Sequence, residues 1–116
     1  MRNYLLVALL FLAQISDAQS PANLIIKHLD EQKGHYENMA STIWKWAEPG
    51  YIEIKTTELM QKELTSAGFT IEKGIAEIPT AFVASYGSGK PVIGILAEMD
   101  ALPGLSQQPV ANRSPL

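Results

Sequence analysis

The chain has 116 residues, the size of one small domain, and carries 9 Lys and Arg against 12 Asp and Glu for a formal net charge of −3. The charges are scattered, with no basic run, which argues against nucleic acid as a partner because its phosphates demand clustered cations. There is no cysteine, so disulfides, thiolate metal sites and a thiol nucleophile are excluded within the chain.

The first segment reads as an address. Met1-Arg2-Asn3 is a short positive start, and Tyr4–Ala13 (YLLVALLFLA) is a nearly unbroken apolar run. Ser16-Asp17-Ala18 then places small residues where a signal peptidase reads. The run is too short to span a bilayer, which needs about 20 residues, so a cleaved signal peptide over residues 1–18 is expected. That implies export to the periplasm or beyond, with no stable membrane anchor.

Ser20-Pro21 is a good helix start, since serine can cap and proline is tolerated in the first turn. Ile25, Leu29, Tyr36, Met39, Ile43 and Ala47 then recur at mostly three- and four-residue steps, which predicts a long amphipathic helix ending before Pro49-Gly50. Gly34 lies inside it and permits a local bend. A second helix is expected from about Ile54 or Thr56 to Ala67, with Met60, Leu64 and Ala67 as its apolar stripe and Gly68 as its cap.

The period then changes. Phe69–Lys73 alternates as a half-buried strand, Thr80–Tyr86 reads as a second strand, and Val92–Ala97 as a third. The third is apolar on both faces, as in a central strand covered by helices. The Gly87–Pro91 turn predicts that the second and third strands form a hairpin. After Leu105 the chain becomes polar and proline-containing, and residues 108–116 read as a loop. The fold class is therefore α/β, two helices followed by three strands of a mixed sheet, incomplete as a domain.

Glu98-Met99-Asp100 lies where the third strand emerges. Acids two apart in an extended segment point to one side, and strand tips are where open α/β sheets place their ligand crevices. A solvated strand end is the plain alternative. Ala101-Leu102-Pro103-Gly104-Leu105 turns the chain with apolar anchors and would hold the acids on a fixed support. Other patterns are weaker. Gly87-Ser88-Gly89-Lys90 lacks the spacing of a phosphate loop. His28 and His35, seven apart on the first helix, read as two surface histidines. Trp44 is expected in the core, and Trp46 either at its rim or in contact with parts that the chain does not contain.

The stretch IPTAFVASYGSGKPVIGILAEMDALPGLSQ, Ile78–Gln107, resembles the aminobenzoyl-glutamate utilization protein B group. That group belongs to the metallopeptidase family of carboxypeptidase G, the aminoacylases and the indole-acetyl-amino-acid hydrolases. Ala97 and Met99 depart from the group's usual glycine and aromatic residue. Trp44–Glu48, Glu53 and Gly68-Phe69 match more loosely, so that the resemblance runs from about Ala22 to Gln107.

The resemblance implies that residues 19–107 are the N-terminal portion of an amidohydrolase catalytic domain. The parent would cleave acyl- or aroyl-amino acids, such as aminobenzoyl-glutamate, or short peptides. It would use a divalent metal, zinc or manganese, and would be a homo-oligomer. Asp100 matches the family aspartate that, in branches with an H-x-D motif, orients a metal-binding histidine by hydrogen bonding. Glu98 stands at that histidine's position. The C-G-H ligand motif and the Glu-Glu pair that the resemblance implies would lie downstream, so the chain alone is expected to be inactive. The rival reading is a secreted, non-catalytic remnant or interaction module.

Overall fold

The computed structural model describes residues 20–115, so the expected leader over residues 1–18 lies outside the described residues. The order is helix α1 (Pro21–Trp46), helix α2 (Ile54–Ser66), strand β1 (Thr70–Lys73), a 3-10 turn (Ile75–Glu77) and strand β2 (Phe82–Ser85). The chain divides into two compact units between Tyr36 and Glu37.

In the first unit, α1 begins as the sequence predicts. The Ser20 carbonyl accepts the Asn23 amide at 2.9 Å, and the Ser20 hydroxyl makes a long contact to the same amide at 3.4 Å. The helix runs through Gly34 without a break. Leu24, Ile25, Ile26 and Leu29 are all more than half exposed, so this part of the stripe has no partner among the described residues. His28 and His35 are both exposed, as expected of surface histidines.

In the second unit, α1 ends at Trp46, and Ala47 takes a left-handed conformation (φ 45°) before the Pro49-Gly50 turn. Helix α2 ends in a Schellman motif: the Gly68 amide bonds the Thr65 carbonyl and the Phe69 amide bonds the Leu64 carbonyl, both at 3.0 Å. Gly68 sits at φ +90°, the conformation that favours glycine, so its expected capping role is met.

Strands β1 and β2 are antiparallel, with Ile71 opposite Ala84 and Lys73 opposite Phe82. Ile71, Phe82 and Ala84 are half-buried on one face while Thr70, Glu72, Val83 and Ser85 are exposed on the other. Helix α2 packs against β1. Phe69 and Tyr86 extend the register beyond the ladder, their ring centroids 5.2 Å apart.

The α/β class and the order of helices then strands are as expected, but the third strand is not formed. Residues 92–97 pair with no other strand, and the hairpin expected across Gly87–Pro91 is absent. Val92, Ile93, Ile95 and Leu96 are 83–92% exposed. A central strand requires a hydrogen-bonded neighbour and apolar cover on both faces, and the described residues supply neither here. The sheet is a two-stranded antiparallel one.

The interior also differs from the expected apolar stripe. Met60 and Leu64 are only half-buried, and the buried residues are Thr56, Thr57, Gln61 and Thr80, with no hydrophobic side chain fully buried among the described residues. The tail is not a plain loop. Gln107 bridges Pro115, its side chain accepts the Ser114 amide at 3.0 Å, and the Gln108 amide bonds the Ser114 carbonyl at 2.8 Å. No helix among the described residues is long and apolar enough to cross a membrane.

Candidate functional site

The site is organised by Glu48, a residue that local sequence patterns do not single out. Residue Glu53 occupies the cap position of α2 yet makes no side-chain capping bond. The carboxylate of Glu48 does that work from a distance, accepting the amides of Lys55 at 3.1 Å and Thr56 at 2.8 Å. These are two of the four amides that a helix N-terminus leaves without intrahelical partners. Burial pushes the Glu48 carboxyl up, but the hydrogen bonds from Thr56 and Lys55 more than offset it and hold the group below its ordinary value. The backbone carbonyl of Glu48 meanwhile accepts the Ala101 amide at 2.8 Å. One residue thus ties the start of α2 to the segment that carries Asp100.

Glu53 is freed for a second role. Its carboxylate accepts the Thr80 hydroxyl at 2.7 Å, and this bond is the main reason that its pKa is lowered, against burial and the nearby charge of Glu48. The Thr57 hydroxyl donates to the Thr80 carbonyl at 3.1 Å and lies 3.8 Å from the Met99 sulfur. A small buried polar cluster therefore sits under the Glu98–Asp100 segment. Its members are separated by tens of residues, which is why no sequence pattern revealed it.

Asp100 and Glu98 are exposed and Met99 between them is half-buried, as alternation in an extended segment demands. The expected pair of acids on one side of the chain is therefore present, although no strand leads into it. Gly50 lies between Asp100 and Glu53: a Cβ placed there would be 3.6 Å from one Asp100 carboxylate oxygen and 3.9 Å from one of Glu53. Beside them runs a groove of about 540 Å³, walled by the end of α1, Met60 of α2 and the Ala97–Gln107 segment. Trp44 lines it. The indole is half exposed rather than in a core, because its Nε1 donates to the Gln107 carbonyl at 2.6 Å and that bond draws it to the rim. Trp46 is the half-buried one of the two.

Among the described residues no group of three or more His, Cys, Asp or Glu is placed to hold a metal ion. The residues present do not fit a complete divalent-metal site, which needs several converging ligands. What the arrangement does is tie the backbone next to Asp100 to the Glu48 carbonyl, beside an amphipathic groove.

The architecture is thus part of an α/β domain with an acidic segment braced against a helix N-terminus. In sequence, the chain is 44% identical over 80 residues, 69% of its length, to the B subunit of p-aminobenzoyl-glutamate hydrolase from Escherichia coli, and covers 17% of that protein. It is 33% identical over 81 residues, 70% of its length, to hippurate hydrolase of Campylobacter jejuni, of which it covers 21%. No family model matches the chain. Over the shared stretch the chain is similar to these two hydrolases, which is consistent with an amidohydrolase family. It spans only about a fifth of the length of these curated relatives.

Proposed function

We propose that this chain is the N-terminal portion of a metal-dependent amidohydrolase that cleaves the amide bond of an acyl- or aroyl-amino acid. The observation that carries the reading is the similarity of more than two thirds of the chain to a hydrolase of p-aminobenzoyl-glutamate. The geometry supports it by giving Asp100 a fixed position through the Ala101–Glu48 backbone bond. In this reading Asp100 is a positioning residue that orients a metal-binding side chain supplied from outside the described residues. A divalent metal, zinc or manganese, held by side chains outside the described residues, would polarise the amide carbonyl. Export through a cleaved leader of residues 1–18 belongs to the same proposal, and mass spectrometry of the secreted product is expected to find Gln19 at its start.

The test is to read the coding sequence past Leu116 and assay the resulting product on 4-aminobenzoyl-glutamate and benzoyl-glycine with added zinc or manganese. The expected result is a continuing frame with a Cys-Gly-His motif and metal-dependent hydrolysis. Asp100→Asn should lower turnover by about 10–100-fold, the usual effect of removing a residue that orients a metal ligand. A longer product that carries those ligands and hydrolyses neither amide overturns the proposal.

A further inference from the structure

We propose that the groove beside Asp100 is an aryl-binding cleft with Trp44 as its stacking wall, selecting a neutral aromatic ring that bears hydrogen-bond donors. The inference deepens the aroyl-amino-acid reading and rests on it. The groove's volume, about 540 Å³, falls within the range of small-molecule sites. Its walls are largely apolar, with Ile43, Trp44, Met60, Leu102 and Leu105 among the lining residues. The Trp44 ring is tied at its edge by the 2.6 Å bond to Gln107 and yet remains 50% exposed, so the bond fixes its orientation and leaves ring surface uncovered. An aromatic ring laid against a fixed indole gains an offset-stacking contact that an aliphatic group of equal size does not. A thioether such as that of Met60 adds a favourable contact to a ring edge.

Charge complementarity restricts the occupant further. The lining carries three carboxylates, Glu48, Glu98 and Asp100, and no Lys, Arg or His. Glu48 is committed to the amides of α2, which leaves Glu98 and Asp100 to face a ligand. An anionic ring such as benzoate is repelled, whereas an uncharged ring with amine or amide N–H groups offers them donors. In an aroyl-amino acid this orientation places the ring in the groove and directs the carboxylate-bearing amino acid away from it.

The experiment is an NMR titration of the full chain, following the two indole N–H signals of Trp44 and Trp46. The probes are 4-aminobenzamide, cyclohexanecarboxamide and benzoate. The expected result is a saturable shift of the Trp44 signal with 4-aminobenzamide, binding at least about fivefold weaker for cyclohexanecarboxamide, the size of a lost stacking contact, and weaker binding for benzoate, which the carboxylates repel. Trp44→Leu should remove the preference for the aromatic amide. Should that variant lose its helical signal, the ranking of the three probes on the unaltered chain decides. No saturable shift, equal binding of the aliphatic amide, or a response confined to Trp46 overturns the proposal. The two readings separate cleanly. Hydrolysis by a longer product with an unresponsive Trp44 sinks the cleft alone, and a responsive Trp44 with no hydrolysis sinks the amidohydrolase reading alone.

Discussion

Glu48 is the residue whose removal should be felt most widely. Glu48→Ala leaves the Lys55 and Thr56 amides without their acceptor, and loss of a helix cap costs about 1 kcal/mol, up to about 2. Thermal or denaturant unfolding measures it, and Glu48→Gln, which keeps one acceptor oxygen, should recover part of the loss. Thr80→Val removes the donor that Glu53 accepts and should destabilise by about 1–3 kcal/mol, because a partly buried carboxylate then lacks its partner. Both glutamates are held below their ordinary value of 4.5 in the folded chain. Groups with depressed folded pKa values contribute stability that is present above the unfolded value and lost as pH falls through the folded one. Stability should therefore decline below about pH 4.5, and Glu48→Gln should flatten that decline in denaturant melts taken at successive pH values. None of these pairings was legible in the sequence. Asp100 was, because its neighbours form a contiguous string, whereas Glu48 and Thr80 act across loops whose closure no local pattern encodes.

At the scale of elements, the helices were the readable part. The 3.6-residue period, Ser20-Pro21 at one end and Pro49-Gly50 after the other gave α1 within a residue, and Gly68 marked the end of α2. Two left-handed positions make a matched pair of tests. Gly68 at φ +90° suits glycine, and a Cβ there would also meet the Tyr86 ring at 3.4 Å. Gly68→Ala should therefore cost about 1–2 kcal/mol. Ala47 at φ 45° ends α1 without glycine's freedom, so Ala47→Gly should stabilise by up to about 1 kcal/mol. Melting curves of the two variants should move in opposite directions. The strands were harder to read. Thr70–Lys73 and Phe82–Ser85 pair with each other because each finds an antiparallel neighbour. Val92–Ala97 has the composition of a strand, but composition is only half of what a strand needs; the other half is a partner edge. The expected hairpin failed on that second requirement.

For the molecule as a whole, the lack of any fully buried hydrophobic side chain among the described residues is the dominant fact. Folding stability comes mainly from apolar burial, and here large apolar side chains such as Ile93, Ile95 and Leu96 remain at the surface. Exposed apolar runs of high β-propensity drive association. The chain should accordingly self-associate in a concentration-dependent manner in sedimentation experiments, and Ile95→Lys should weaken that association. In hydrogen exchange, the amides of residues 92–97 should exchange orders of magnitude faster than the central amides of α2, since they have no ladder to protect them.

The double attachment of Glu48 has one more consequence. Its carboxylate serves a helix seven residues downstream, while its carbonyl serves an amide fifty-three residues downstream. Protonating that single side chain weakens the acceptor on which the start of α2 relies, next to the backbone bond that holds Ala101. One residue thus serves as a junction, joining two stretches that are far apart in sequence and adjacent at the acidic segment.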